Sequence, residues 1–364
     1  MATAAAAAAA QRNILDLPFE VLDLIYKELI YQLDKVNLAK ADAYLGEAFA
    51  FHSHQQLKTV APWQYIPRDA WPVLLSLCGT TVREYLCSNS HNWSHPLAKL
   101  VERHCPHLEM VDVNVNADNC NSVRSMIANA RATIKEIRLD VDNRIKAKIP
   151  PMMLHEYPEL PQLRKGTFVR FTNEEVFHIQ KFSTLVELTL NTGKPDHYQA
   201  IKLFEITASL KKLRTLKLFH YNLVESGAAP SMPFPCLEFL QINYCEISTE
   251  MPHCPKLTSL DILNCKSSSE NVLNRCMLKH GDTLVNLKID CRPSLCDGEG
   301  FLEILRRCKR LRFVYAQAQR VKFTRDFVAT MMDILQDNGV TTDEPLHLLI
   351  YGRTKVSWLR HWLS

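Results

Sequence analysis

Residues 237–247 read LEFLQINYCEI, and this stretch decides the fold. Its aliphatic residues Leu237, Leu240 and Ile242 are spaced as L-x-x-L-x-L, and a cysteine and Ile247 follow them. Side chains in a strand alternate between two faces, so the closely spaced aliphatic residues share one face. The stretch therefore predicts a short strand with one face in a core and a turn after it.

The same spacing recurs along most of the chain at intervals of 20 to 35 residues. Clear copies begin at Leu108, Ile134, Leu185, Leu213, Leu237, Leu257, Leu284 and Leu311, and weaker copies begin at Val82, Leu163 and Leu346. The phrase resembles that of leucine-rich repeats, whose period is roughly 20–29 residues. One unit cannot bury its apolar face alone, so units stack into a solenoid. The resemblance implies an α/β leucine-rich-repeat horseshoe with a parallel sheet on its concave face.

Helical patterns lie between the copies and predict helices on the outside of such a solenoid. They occupy residues 120–130, 198–210, 271–279, 301–307 and 324–336. Two segments rich in proline, 145–163 and 227–235, predict long loops. The last segment, 354–364, carries Trp358 and Trp362 four residues apart, which suits a helix that closes the end of the array.

The bulk composition is that of an ordinary globular protein. The 364 residues are 47% hydrophobic and 23% charged, and the net charge of +4 favours neither a nucleic-acid-binding tail nor a membrane-surface helix. No apolar stretch approaches the roughly 20 residues that a membrane span needs. The twelve cysteines form no C-x-x-C pair, and no signal peptide is visible, so we expect reduced thiols in a cytoplasmic or nuclear protein.

The N-terminal region differs from the repeats and predicts a compact helical module. Pro18 suits a helix N-terminus with Asp16 or Leu17 at the cap, and Asp34 can cap a second helix. In that second helix the residues Leu38, Ala41, Leu45 and Ala48 form one apolar stripe. The predicted organisation is a disordered alanine-rich segment (1–12), the helical module (13–55), a connector (56–81), the repeats (82–353) and a C-terminal capping tail (354–364).

The helical module resembles an F-box. The resemblance rests on the run Leu17-Pro18-Phe19-Glu20-Val21-Leu22, followed by Ile25-Tyr26, Leu29, Asp34, Val36 and Leu38. Many F-boxes carry a tryptophan after the second helix, and Leu45 stands there in this chain. An F-box followed by leucine-rich repeats is typical of substrate receptors of SCF-type ubiquitin ligases, which are not themselves catalytic.

This resemblance implies two partners. The F-box would dock on a Skp-type adaptor and, through it, on a cullin-RING ligase, while the repeats would hold an unknown protein substrate for ubiquitin transfer. The residues expected on the adaptor face are Leu17, Pro18, Val21, Leu22, Ile25, Tyr26, Leu29, Leu33, Val36, Leu38 and Leu45.

A second expected surface is the concave sheet face, on the side chains that alternate with the core leucines. Its charges are mixed, but it carries several aromatic side chains, which are enriched at interface hot spots. We expect the substrate to contact Lys217, Phe219, Phe239, Gln241, Lys288, Phe313 and Tyr315. The alternative is that a C-terminal segment folds over these rings. The earlier strands offer short polar or acidic residues instead, namely Asp112, Asn114 and Asp140.

The sequence predicts no catalytic residue, cofactor or metal site. The pairs His52/His54 and Cys276/His280 are more simply structural than metal-ligating. The basic run 306–312 (RRCKRLR) suits a solvated helix end better than a nucleic-acid patch, because no series of aromatic residues accompanies it. Two alternatives stay open: a repeat scaffold outside any ligase, and a nucleic-acid- or phosphate-binding array.

Overall fold

A computed structural model describes residues 13–54, 56–62, 64, 66–88, 93–141, 154–193, 198–207, 209–224, 234–267, 270–292, 298–316 and 321–350. The alanine-rich segment 1–12, the C-terminal tail 354–364, and residues 145–153 and 227–233 of the two predicted loops lie outside these residues. The chain divides into two compact units, Met1–Asn114 with Asp118–Ile134, and Val115–Ala117 with Lys135–Ser364.

The described part of the chain contains eleven α-helices and fifteen strands. The helices are α1 (Phe19–Glu28), α2 (Gln32–Ala41), α3 (Ala43–Ser53), α4 (Trp71–Cys78), α5 (His95–His104), α6 (Cys120–Asn129), α7 (Asn173–Phe177), α8 (Leu203–Thr207), α9 (Glu270–Leu278), α10 (Gly298–Arg307) and α11 (Arg325–Asp337). The strands of the first unit are β1 (Thr59–Val60), β2 (Glu84–Cys87) and β3 (Met110–Val115). Those that follow are β4 (Glu136–Val141), β5 (Lys165–Val169), β6 (Glu187–Asn191), β7 (Gln199–Ile201), β8 (Thr215–Phe219), β9 (Tyr221–Leu223), β10 (Phe239–Asn243), β11 (Glu246–Ile247), β12 (Ser259–Ser267), β13 (Asn286–Arg292), β14 (Phe313–Ala316) and β15 (His347–Ile350).

The repeat prediction is confirmed, because a parallel strand begins one or two residues after the first apolar position of each copy. In the second unit β4, β5, β6, β8, β10, β12, β13, β14 and β15 follow one another in parallel. Equivalent repeat positions are in register: Leu216 lies beside Leu240, and Leu240 beside Leu260. These leucines are buried and form the core between the sheet and the helices.

The short strands β7, β9 and β11 form a second parallel ladder, which the sequence pattern did not predict. The segment 198–210, expected to be a single helix, instead contains β7 and the short helix α8. A left-handed residue makes the corner before β9 and before β11: His220 has φ 64° and Tyr244 has φ 52°. Each donates its backbone N–H to the neighbouring repeat, His220 to Asn243 O at 3.1 Å and Tyr244 to Leu263 O at 2.9 Å. These bonds oppose the strain of a left-handed non-glycine residue.

The first unit begins with the helices α1, α2 and α3, and the helices α4–α6 and the strands β1–β3 follow them. The helical pattern predicted one long second helix, but the chain breaks at Asp42, which is extended at φ −156° and caps α3 by accepting from Tyr44 N at 2.8 Å. Pro18 is itself the N-cap of α1, and Tyr31 rather than Asp34 is the N-cap of α2. The predicted connector 56–81 contains α4 and β1, and β1 pairs with β2, so this segment is part of the first unit.

The cysteines after β10 and within β12 and β13 stabilise the repeat turns. Their Sγ atoms face carbonyl oxygens of the preceding repeat, with Cys265 Sγ at 3.4 Å from Ile242 O and Cys291 Sγ at 3.7 Å from Ile262 O. A thiol is a small hydrophobe with a weak donor, which suits a buried position beside a carbonyl. All the cysteines that the structure describes are free thiols.

We predict that alkylation of the folded protein at pH 8 is selective. Burial raises the pKa of Cys78 to about 11 and that of Cys105 to about 12, so these thiols hold little reactive thiolate. Among the described cysteines, Cys120 and Cys236 are only half-buried and should be labelled first. Mass spectrometry after timed alkylation measures this order. The denatured, unreduced chain should then yield twelve reactive thiols, and protected pairs would contradict the prediction.

Candidate docking surfaces

Two tyrosine hydroxyls, of the buried Tyr26 and the half-buried Tyr44, hold the helices of the N-terminal module together. Tyr26 in α1 donates to Leu45 O in α3 at 2.8 Å, and burial raises its pKa to about 12. Tyr44 in α3 donates to Leu17 O at 2.9 Å, just before α1 begins. The sequence run from Leu17 to Tyr26 is thereby positioned against α3, with Leu22 and Tyr26 buried and Pro18, Val21 and Leu24 exposed.

The eleven residues expected on the adaptor face divide into three groups by exposure. Leu22, Tyr26, Val36 and Leu45 are buried, so the expected list is corrected at these positions: they support the module from within and do not form its surface. The exposed group contains Pro18, Val21 and Leu33. The half-buried group contains Leu17, Ile25, Leu29 and Leu38.

The most exposed apolar side chains of the module were not in the expected list. Ile30 is 87% exposed and Tyr31 is 71% exposed, and both lie in the turn between α1 and α2. Leu24 and Phe51 are also exposed by more than half. Ile30 and Tyr31 are adjacent in the chain, and an exposed apolar patch marks an interaction surface more often than single scattered residues do. The apolar helical period of the sequence includes Ile30, but α1 ends at Glu28, so both residues lie in a turn and on no helix face.

A charged network links the three helices of the N-terminal module, α1, α2 and α3. His52, from α3, contacts Asp23 Oδ1 in α1 through Nδ1 at 2.8 Å and Lys35 Nζ in α2 through Nε2 at 3.0 Å. Hydrogen bonds from Lys27 and then from His52 lower the pKa of Asp23, and burial lowers the pKa of Lys35. Because each helix contributes one residue, the network fixes their relative positions.

A cavity of 670 Å³ lies next to the network within the first unit. It is lined by Asp23, Lys27, Ala50, Phe51, His52, His54, Gln56, Leu77, Thr80 and Thr81. Its charged and hydroxyl groups bond to one another or to the backbone, with Lys27 at 2.6 Å from Asp23 and Thr81 donating to Leu57 O at 3.0 Å. Both ring nitrogens of His52 have partners in the network, so this histidine of the His52/His54 pair has no free nitrogen to bind a metal.

The Cys276/His280 pair makes structural hydrogen bonds in the core. His280 accepts a hydrogen bond from Cys254 N at Nε2, 3.0 Å away, and its Nδ1 lies 2.7 Å from Cys276 O. Burial lowers the pKa of His280, so the ring is kept neutral in the core. No group of three or more histidine, cysteine or acidic side chains in the described part of the chain is arranged to hold a metal ion.

The sheet of the second unit presents two rows of side chains between its buried leucines, and all of them except the buried Asp261 are half-buried. In register across β8, β10, β12, β13 and β14, the middle row contains Lys217, Gln241, Asp261, Lys288 and Tyr315. The row before it contains Thr215, Phe239, Ser259, Asn286 and Phe313. We call these two rows, together with Phe219 and Asn243 after them, the sheet face. The seven residues expected to contact a substrate all lie on it, and all are half-buried.

Neighbouring strands partly neutralise the charges of the sheet face. Lys288 lies 3.0 Å from Asp261 Oδ2, and Asp261 is itself only 4% exposed. Lys217 Nζ lies 5.8 Å from the centre of the Phe239 ring, a distance at which a cation is attracted to an aromatic face. The sheet face therefore presents aromatic rings and the Lys217 ammonium beside the Phe239 ring, without a strong positive or negative net charge.

Two of the polar residues expected on the earlier strands, Asn114 and Asp140, are buried or ion-paired. Asn114 in β3 is 4% exposed and lies in the first unit. In the second unit Asp140 is held by an ion pair with Arg170. Neither side chain is an exposed apolar group, and the aromatic side chains of the sheet face lie in β8, β10 and β14.

The basic run 306–312 is largely paired. Arg306 lies 3.7 Å from both Glu299 and Glu303, and Arg312 lies 2.9 Å from Glu344. Arg307 also reaches Glu303, at 3.5 Å. Three of its arginines thus meet carboxylates, as in a solvated helix end, and this does not favour a phosphate-binding patch.

Comparisons with known proteins give similarity of fold only. No protein-family model matches the chain, and no curated protein matches it. The internalin InlF of Listeria monocytogenes is 13% identical, with a TM-score of 0.47 over 90% of this chain and 92% of that one. A chain from the yeast Rad7 and Elc1 complex is 15% identical, with a TM-score of 0.41 over 93% and 94%. No described helix is long and apolar enough to cross a membrane.

Proposed function

We propose that this chain is the non-catalytic substrate-recognition subunit of an SCF-type E3 ubiquitin ligase. The observation that supports this most directly is the N-terminal module itself. Its LPFEVL run begins a three-helix unit that resembles an F-box. The unit leaves Ile30 and Tyr31 exposed at one corner, the turn between α1 and α2, and it leaves Leu24 exposed on α1. Such a surface is stabilised when a partner covers it.

The partner proposed for this corner is a Skp-type adaptor, and through it a cullin-RING ligase. Pro18, Val21 and Leu33 extend the exposed apolar surface at the start of α1 and in α2. The departure from the F-box pattern at Leu45 is harmless to this surface, because Leu45 is buried and its carbonyl accepts from Tyr26.

The repeats supply the second half of the proposed function, which is to bind a protein substrate on the sheet face. Phe239, Phe313 and Tyr315 are half-buried rings beside Lys217, and aromatic and cationic side chains usually contribute most of the energy of an interface. The protein would act in the cytoplasm or nucleus, where thiols stay reduced. No cofactor is proposed.

Affinity capture of the full chain from cells tests the proposal. We expect a Skp-type adaptor to be recovered in near-equal amounts, with a cullin present only when the adaptor is present. Co-expression with the adaptor should also increase the soluble yield, because it covers the exposed corner. A chain that purifies alone, and that neither binds the adaptor nor becomes more soluble with it, would favour a scaffold outside the ligase.

A nucleic-acid- or phosphate-binding array is the less supported alternative. Three arginines of the basic run that motivated it, Arg306, Arg307 and Arg312, are paired with Glu299, Glu303 and Glu344. Nucleic-acid binding would weaken steeply as salt is raised, because it releases counterions. The sheet face lacks a continuous series of cations that could follow a phosphate backbone.

A further inference from the structure

The turns that lead into the repeat strands carry a line of cations at one edge of the second unit. Lys212, Lys256 and Arg310 each occupy the position just before the first apolar residue of a repeat. The strands that follow are in register, Thr215 beside Phe239, Phe239 beside Ser259, and Asn286 beside Phe313. The three cations therefore occupy equivalent positions, and we call them the basic edge.

The spacing of the basic edge follows from the sheet. The turn of Lys212 leads into β8, that of Lys256 into β12 and that of Arg310 into β14. One strand separates each pair, β10 in the first case and β13 in the second. With parallel strands about 4.8 Å apart, successive cations recur roughly every 10 Å along the edge. The intervening turns place Cys236 and Thr283 between them.

The cations of the basic edge have no carboxylate partners in the described chain, whereas the arginines next to them do. The next residues inward are paired, Arg214 with Glu238 at 3.8 Å and Arg312 with Glu344 at 2.9 Å. Lys212, Lys256 and Arg310 are exposed, and within the described residues no carboxylate lies at ion-pair distance from any of them. The edge is therefore a regular row of cations open to a partner.

We propose that the basic edge binds an extended acidic segment of a partner protein. In an extended chain, three residues span roughly 10 Å, so acidic residues three positions apart match the spacing of the cations. A segment lying along the edge would then place one carboxylate beside each of Lys212, Lys256 and Arg310. This site is separate from the sheet face and from the adaptor-binding corner, and it does not depend on either.

The composition of the edge favours a polypeptide over a nucleic acid. The same turns contain Asp282, and Glu238 lies one row inward, so a continuous phosphate backbone would meet carboxylates. The turns 211–212, 235–236, 255–256, 282–283 and 309–310 contain no aromatic residue. Proteins that bind single strands without sequence preference rely on aromatic stacking in addition to charge.

Fluorescence anisotropy with the full chain tests this proposal. The probe is a labelled 13-residue peptide with glutamate at every third position and serine between. We expect binding at low salt that weakens as salt is raised, because exposed ion pairs are screened. The variant Lys212→Gln with Lys256→Gln and Arg310→Gln should bind about tenfold more weakly, since each exposed pair contributes only modestly.

A matched control removes three other exposed cations from the second unit: Lys202→Gln, Lys322→Gln and Arg325→Gln. It should bind the peptide like the unmodified chain, and both variants should keep the unmodified melting temperature. Equal loss of binding in the two variants would show that net charge alone attracts the peptide and would overturn the proposal. Tighter binding of a uridine oligonucleotide than of the peptide at the same salt would also overturn it.

Discussion

Replacing Ile30 and Tyr31 with aspartate should weaken adaptor capture by about a hundredfold or more. The two side chains are 87% and 71% exposed, so the free protein loses almost no packing when they change. In a complex they would be central apolar anchors, and such residues typically cost 2 kcal/mol or more each when removed, which is about thirtyfold in affinity. Tyr31 is the N-cap of α2, where aspartate is well tolerated.

The measurement is quantitative pull-down of a purified Skp-type adaptor, with melting temperature as the check on folding. Met332→Asp is the matched control, because Met332 is 46% exposed on α11 in the second unit. Undiminished adaptor binding by the double variant would place the docking surface elsewhere. Leu22→Ala is a poor test, because Leu22 is fully buried and its loss should cost the fold about 2–5 kcal/mol.

Phe239→Ala combined with Tyr315→Ala should reduce capture of protein substrates by about thirtyfold or more while leaving adaptor binding unchanged. Both rings lie on the sheet face, and Phe239 supports the Lys217 ammonium at 5.8 Å. Removing the rings deletes the apolar contacts and releases Lys217 into solvent. The effect should therefore exceed that of Lys217→Gln alone, because aromatic anchors usually contribute more than one exposed charge.

Quantitative affinity capture followed by mass spectrometry measures this effect. Phe177→Ala is the control, since Phe177 is a half-exposed ring on α7 outside the sheet face. An unchanged set of captured proteins would remove the sheet face from the proposed function. A loss shared equally by the adaptor and the substrates would instead indicate unfolding, which the melting temperature would reveal.

The repeat architecture was predictable because its signal is local and repeated. Each L-x-x-L-x-L copy places its leucines on one side of a strand. A weak copy, such as the one that begins at Leu163, is recognised as a repeat because ten other copies recur along the chain. The positions that alternate with those leucines must then face the other way, which located Phe239 and Tyr315 correctly on the sheet face. The short strands β7, β9 and β11 have no such signal, because two or three residues establish no period.

The N-terminal module shows where this reasoning stops. Its apolar residues cover too much of each helix for periodicity to separate inside from outside, so Leu22 and Val21 could not be ranked from the sequence. The break at Asp42 depends on a cap and on Tyr44 reaching Leu17 O, 27 residues away in sequence. Ile30 and Tyr31 appear at the surface only once α1 and α2 are placed.

The sequence by itself determined the repeats, the strand register they impose and the apolar positions of the sheet face, because these depend on side-chain alternation within a few residues. The tertiary structure decided which charges are neutralised and which are not. Asp261 meets Lys288 and Arg312 meets Glu344 across 27 and 32 residues of sequence, whereas Lys212, Lys256 and Arg310 meet no carboxylate in the described chain. Ion pairing depends on distances of a few ångströms between separate repeats, and only the packed sheet establishes those distances.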